Sequence, residues 1–133
     1  MLSLEFADPI FSGNGVYSRT IARSLLQSGY EVMVVSGVPS EAESSSSCNS
    51  GAGVPGVETL PVKCDIWKRL DRYSSWEQFG NDTAQHKDAV TQFEPDVVIG
   101  VDWTSVQAFK NLGLEKTTPF VYMNFRWQHT ACI

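Results

Sequence analysis

Apolar positions along the chain fall into two rhythms that alternate from the amino terminus onward. Met1 to Phe6 (MLSLEF) alternates and then fills with apolar side chains, the pattern of a short strand. From Asn14, read as a capping residue, Tyr17, Ile21 and Leu25 recur at every fourth position beside Ala22 and Leu26, and Gly29 follows. That spacing predicts an amphipathic helix with a glycine stop. Tyr30 to Ser36 (YEVMVVS) is rich in β-branched residues and predicts a second, buried strand. Val57 to Val62 predicts a third, which Pro61 restricts to a sheet edge because proline cannot donate to a ladder. Ser75 to Gln78 is a capping-box pattern, and Trp76, Phe79, Thr83, His86, Val90 and Phe93 follow at spacings of three and four, predicting one long amphipathic helix closed by Pro95. Asp96 to Val101 (DVVIGV) reads as a strand buried on both faces. Thr104 and Gln107 repeat the capping box, with Val106 and Phe109 facing inward and Gly113 ending the helix, before a fifth strand over Phe120 to Asn124.

Strands separated by helices imply right-handed crossovers and an α/β fold, a Rossmann-like doubly wound parallel sheet. The first and fourth strands are neighbours in the usual order of such a sheet. The loops after Phe6 and after Val101 then open into one crevice at the carboxyl edge, lined by Gly13, Asn14, Gly15, Asp102 and Trp103. Residues 37–56 (GVPSEAESSSSCNSGAGVPG) have almost nothing to bury and read as a mobile Ser/Gly-rich loop. At 133 residues, 42% hydrophobic and 19% charged, the chain fits a single domain, residues 1–133.

Net charge is -5, so nothing draws the molecule electrostatically to nucleic acid or an anionic membrane. The longest apolar runs fall far short of the roughly 18 residues of a membrane span. Without a basic start, a long apolar stretch or a cleavage pattern, the opening residues do not read as a secretory leader, which points to the cytoplasm or the cytosolic face of a membrane. Cys48, Cys64 and Cys132 have no CxxC spacing and no histidine at metal-ligand distance, and read as reduced thiols; no metal site is expected.

The glycines at 13 and 15 raise the question of a ligand. A dinucleotide fingerprint needs G-x-G-x-x-G directly after the first strand and an acidic residue ending the second. Here Ser18 stands at the third glycine's position, six residues intervene between Phe6 and Gly13, and the second strand ends in Ser36-Gly37. That context argues against a nucleotide-dependent oxidoreductase. A Walker A loop is excluded by the lack of a Gly-Lys-Ser/Thr. Two readings remain: the amides of a helix amino terminus approach an anion or a sugar hydroxyl, or the glycines make a turn and nothing more.

PIFSGNGVYSRTIARSLLQSGYEVMVVSG resembles the amino-terminal signature of family-4-type glycosyltransferases of the GT-B fold: a glycine loop, a helix, Gly-His/Tyr-Glu-Val and a valine-rich strand. EPDVVIGVDWTSVQAFK is similar to that family's Pro-Asp-Val-Val strand followed by Asp-Trp, and TPFVYMNF resembles its next strand. The resemblance implies transfer of a sugar from a nucleotide-sugar donor to a sugar or lipid acceptor, in a cleft between two Rossmann-like domains. This chain corresponds to the acceptor side, and the carboxyl-terminal nucleotide-sugar domain is absent from it. The domain looks truncated, inactive in isolation, and in need of its partner domain in cis or in trans.

Under that resemblance the amides of Gly13, Asn14 and Gly15 approach the donor's phosphate or sugar, and Asp102 orients or deprotonates the acceptor hydroxyl. Trp103 stacks on a sugar face. Asp102 is equally suited to cap the following helix, and Trp103 to pack in the core. The histidine that many relatives carry after the fifth strand is replaced by Met123-Asn124-Phe125-Arg126, which leaves Arg126 or His129 as candidates for the crevice. His86, on an apolar helix face, reads as a core or boundary residue. The family implies no obligatory metal and no cofactor beyond the donor, and retention at the anomeric centre. The missing histidine and missing domain also motivate a different reading, a non-catalytic interaction module.

Overall fold

The computed structural model describes residues 1–8, 10, 12–40, 53–65 and 73–123. In chain order these form β1 (Leu2–Ser3), α1 (Gly13–Gln27), β2 (Met33–Pro39), β3 (Glu58–Cys64), α2 (Tyr73–Asp82), a 3-10 turn (Thr83–His86), α3 (Lys87–Phe93), β4 (Val98–Val101), α4 (Thr104–Leu112) and β5 (Phe120–Met123). All strand pairs are parallel, in the order β3-β2-β1-β4-β5. The fold is the α/β, Rossmann-like sheet that the alternating rhythms predict, with β3 and its Pro61 at an edge.

Because side chains alternate across a strand, the sheet feeds two cores. Leu2, Leu4, Met33, Val35, Val62 and Val98 face Phe79, Ala108, Phe109 and Leu112 of α2 and α4. Val32, Val34 and Phe6 face Ala22, Leu25 and Leu26 of α1 on the other side. Close approach of α1 to β1 comes from small residues: the hydroxyls of Ser3 and Ser18 are both fully buried and 2.6 Å apart. Ser18 thus stands where a dinucleotide fold has its third glycine, and a shared hydrogen bond replaces bare backbone contact. Gly29, at φ +85°, ends the helix in the left-handed conformation, and the Tyr30 amide reaches back to the Leu25 carbonyl at 3.0 Å.

Several expected boundaries shift, and because α2 begins at Tyr73 the Ser75–Gln78 pattern lies inside the helix and not at its start. The cap of α1 is Ser12, not Asn14, since the Ser12 side chain accepts the Asn14 amide. β2 runs on to Pro39 because β3 continues in register beside it, ending with Pro39 opposite Cys64, so residues 37–39 are strand and not loop. At the far end of the same segment, Val54 is buried, and a Cβ on Gly53 would come within 2.7 Å of the Phe6 ring. Residues 53–56 therefore dock against the α1-side core, while 41–52 lie outside the described residues.

The long helix over Ser75 to Phe93 is broken into α2, the 3-10 turn and α3. Side chains take the carbonyls that the next helical turn needs: the Thr83 hydroxyl donates to the Phe79 carbonyl at 2.6 Å, and the Asn111 amide donates to the Gly80 carbonyl at 2.7 Å. The turn brings His86 to β3, where its Nε2 lies 2.7 Å from the Pro61 carbonyl. It is a boundary residue. Among the described residues, no helix is long and apolar enough to cross a membrane.

Gly100, in the middle of β4, is where the core is least forgiving. A Cβ there would meet the Ser105 hydroxyl and sit 2.6 to 2.7 Å from the Phe120 ring, itself stacked on Phe109 at 4.4 Å. We expect Gly100→Ala to lower unfolding free energy by about 2 kcal/mol, the scale of core overpacking. Gly13, with nothing within 4 Å of its would-be Cβ, is the control. Urea midpoints test both: an unchanged Gly100→Ala midpoint would contradict this account of the sheet.

Candidate functional site

Leu2 pairs with Gly100 and Ser3 with Val101, so the carboxyl ends of β1 and β4 lie side by side. Two segments leave this edge, one through Glu5 to Ser12 and into α1, the other through Asp102 and Trp103 into α4. It is the switch point of the sheet, where α/β folds bind ligands. The expected glycine-loop residues and Asp102 both stand on it.

The glycine loop is held from below by a residue that sequence reasoning passed over. Glu5 is 2% exposed. Its Oε2 accepts the Ser12 amide at 2.9 Å and its Oε1 accepts the Ser12 hydroxyl at 2.6 Å. Ser12 Oγ in turn accepts the Asn14 amide at 3.2 Å. The Glu5 carbonyl is bonded as well, by the Ser3 hydroxyl at 2.8 Å.

The two glycines differ in role. Gly15 is buried, and a Cβ there would lie 2.7 Å from an Ile10 methyl and 3.2 Å from Glu5 Oε2; its lack of a side chain lets the loop close on the helix. Gly13 is exposed and open on all sides.

Asp102 sits at φ +70°, a left-handed conformation that aspartate tolerates better than most residues. Its Oδ1 accepts the Thr104 amide at 2.8 Å and also the Thr104 hydroxyl, while its carbonyl accepts the Ser105 hydroxyl at 2.7 Å. It thus supplies the side-chain cap of α4 from two residues before Thr104, a place the Thr104–Gln107 pattern does not predict. Burial pushes its carboxyl up to about 6; the bonds from Thr104 and the Leu4 amide pull against that, and the charge of nearby Glu5 adds to it. A carboxyl in that range can hold or release a proton near neutral pH.

Trp103 is 43% exposed beside it, on the surface and not in the core. Tyr122 of β5 is a second crevice residue missed from sequence: its hydroxyl is pushed up by burial and by the Asp102 charge. The Tyr17 hydroxyl donates to the Met123 sulfur at 3.0 Å, linking α1 to β5. Arg19 faces the same edge with its guanidinium engaged, to the Phe6 carbonyl at 2.8 Å and to Asp8 at 2.9 Å. Arg126 and His129 lie outside the described residues.

Among the described residues, no group of three or more His, Cys, Asp and Glu side chains is placed to hold a metal ion. Cys64 is buried and its thiol is pushed up to about 12, first by desolvation and then by Asp82 and Asp65, which makes it inert as a nucleophile. A shallow cleft lined by Pro61, Lys63, Gln78, Asp82 and His86 lies on edge strand β3, separated from β1 by β2 and apart from the glycine loop. Set against known proteins, the chain matches no family model, no curated protein and no solved structure.

The raised Asp102 carboxyl has a measurable consequence. Between about pH 4 and pH 6 the folded chain holds a proton there that the unfolded chain releases, so this group's contribution is full below its unfolded value of 3.8 and is lost as pH rises through about 6. Asp102→Asn keeps an acceptor for Thr104 but does not titrate. Relative to wild type, we expect it to gain on the order of 1–2 kcal/mol between pH 4 and pH 7, scaled down from full burial because Asp102 keeps some solvent contact. Urea unfolding at both pH values measures this; a constant difference would mean that Asp102 titrates normally.

Proposed function

We propose that this chain is the acceptor-side half of a glycosyltransferase, moving a sugar from a nucleotide-sugar donor to a sugar or lipid acceptor in the cytoplasm or at the cytosolic face of a membrane. The observation that carries the reading is the juxtaposition of the Gly13–Gly15 loop and Asp102 across the β1–β4 pair at the carboxyl edge of a parallel sheet. The resemblance of the glycine-loop, Pro-Asp-Val-Val and Asp-Trp segments to family-4-type enzymes supports it from the sequence side.

Asp102 orients the acceptor hydroxyl and accepts its proton, a role suited to a carboxyl held near 6. Trp103, exposed beside it, offers an aromatic face for a sugar ring. A second domain, in cis or in trans, carries the nucleotide, and no metal is required. One observation favours the alternative of a non-catalytic interaction module: Asp102 Oδ1 is already engaged by Thr104, as a helix cap would be.

Joining the chain to a nucleotide-sugar domain and assaying transfer and donor hydrolysis across a panel of nucleotide sugars tests the proposal. We expect turnover, and a loss of roughly 10²–10⁴-fold in Asp102→Ala, the range for removal of a general base. No turnover with any donor sinks the enzyme reading. Turnover indifferent to Asp102→Ala removes that residue from the chemistry.

A further inference from the structure

We propose that Tyr122 is a specificity-determining residue of the crevice: a fixed aromatic wall beside Asp102 that selects a saccharide ring, over an acyl chain, as the acceptor. The inference rests on the proposed function for the identity of the site and deepens it by naming the acceptor class.

Strand register and a row of rings put it there. Gly100 pairs with Tyr122 and Val101 with Met123, the last pairs of β4 and β5 before the chain turns into Asp102. At that end the Tyr17 hydroxyl donates to Met123 Sδ at 3.0 Å, tying β5 to the helix that the glycine loop opens. Phe120 and Tyr122, two residues apart, project from the same side of β5. Phe120 is stacked on Phe109 of α4, with centroids 4.4 Å and planes 9° apart, and the Tyr122 ring continues the row at 6.5 Å, tilted by 21°. Gly100 makes room for the row, since a Cβ there would stand 2.6 to 2.7 Å from the Phe120 ring. A ring oriented from the core in this way loses little freedom when a ligand settles on it.

What lies beside the ring is polar. Tyr122 is 39% exposed, and its hydroxyl is close enough to Asp102 to feel the carboxylate's charge. Three donors engage the Asp102 carboxyl already: the Thr104 amide, the Thr104 hydroxyl and the Leu4 amide. A carboxylate accepts about four hydrogen bonds, so one place remains for a ligand hydroxyl. A pyranose answers to both features, packing its C–H face on the negative face of an aromatic ring while a hydroxyl at its rim donates to the carboxylate. An acyl chain would cover the ring but take water from the carboxylate and give no donor in return.

The test is an NMR titration of the chain, labelled in its tyrosine rings and backbone amides, with the methyl pyranosides of glucose, galactose and mannose, and with butanol as the acyl-chain probe. We expect at least one pyranoside to give a saturable shift of the Tyr122 ring together with the amides of residues 102–104, and butanol to give none. Tyr122→Phe, which keeps the ring, should bind that pyranoside within a few-fold of wild type. Tyr122→Leu, apolar but not aromatic, should bind it about tenfold more weakly. Tyr30→Leu, at the exposed tyrosine beyond the far end of α1, is the control and should bind as wild type does. A crevice silent to all three pyranosides overturns the proposal, as does saturable butanol binding there or a Tyr122→Leu chain that binds like wild type. If Tyr122→Leu does not fold, intermolecular NOEs in wild type replace it: a saturated complex with no contact between the Tyr122 ring and the C–H protons of the sugar overturns the proposal. The titration uses no donor and no second domain, so its failure is distinct from that of the transfer assay. Pyranoside binding without turnover keeps the ligand class and removes the chemistry, whereas turnover onto a lipid that is indifferent to Tyr122→Leu keeps the chemistry and overturns the ligand class.

Discussion

The position of β1 is the constraint from which the rest of the molecule follows. Only Leu2 and Ser3 pair as strand, yet they pair on both sides, with Val35 and Ser36 of β2 and with Gly100 and Val101 of β4. A central parallel strand has no solvent face, so its continuation must be buried as well, and Leu4, Glu5 and Phe6 are all 2% exposed or less. Leu4 and Phe6 supply one side chain to each core. Glu5, between them, must be buried as a carboxyl group, and burial without partners would be costly. Ser12 supplies those partners and thereby fixes where α1 begins.

The same packing sets the electrostatics of the carboxyl edge. Asp102 is drawn into it by the left-handed turn out of β4, where its side chain caps α4 and its carboxyl loses water. Glu5 accepts from the Ser12 amide and hydroxyl and Asp102 from the Thr104 amide and hydroxyl, and every buried side-chain polar atom among the described residues has a partner. Such an arrangement holds geometry firmly while keeping negative charge beside an exposed tryptophan and an open glycine.

Much of this was legible in the chain. The four-residue spacing of Tyr17, Ile21 and Leu25, the valine-rich run after Gly29 and the apolar DVVIGV segment each declare an element by a local period, and their alternation implies the parallel sheet and the neighbouring of β1 and β4. Glu5 was available as a signal too, a lone acid in an otherwise apolar strand. The break at Thr83 was not legible from spacing, because the helical period continues through it; what ends α2 is Asn111 and Thr83 competing for carbonyls, and one of those competitors arrives from α4.

Local periodicity therefore determined the strands, most of the helices, their order and the neighbouring of β1 and β4, since those depend on side chains a few residues apart. Tertiary structure alone decided what that edge is made of. Ser12 rather than Asn14 caps α1 because Glu5 reaches it from β1; Gly15 is closed and Gly13 open because Ile10 folds over one of them; Asp102 is both cap and perturbed acid because β1 lies against β4. Each of those facts is a contact between segments distant along the chain or turned back on one another, and burial and charge at such contacts are properties of the assembled space, which no window of sequence contains.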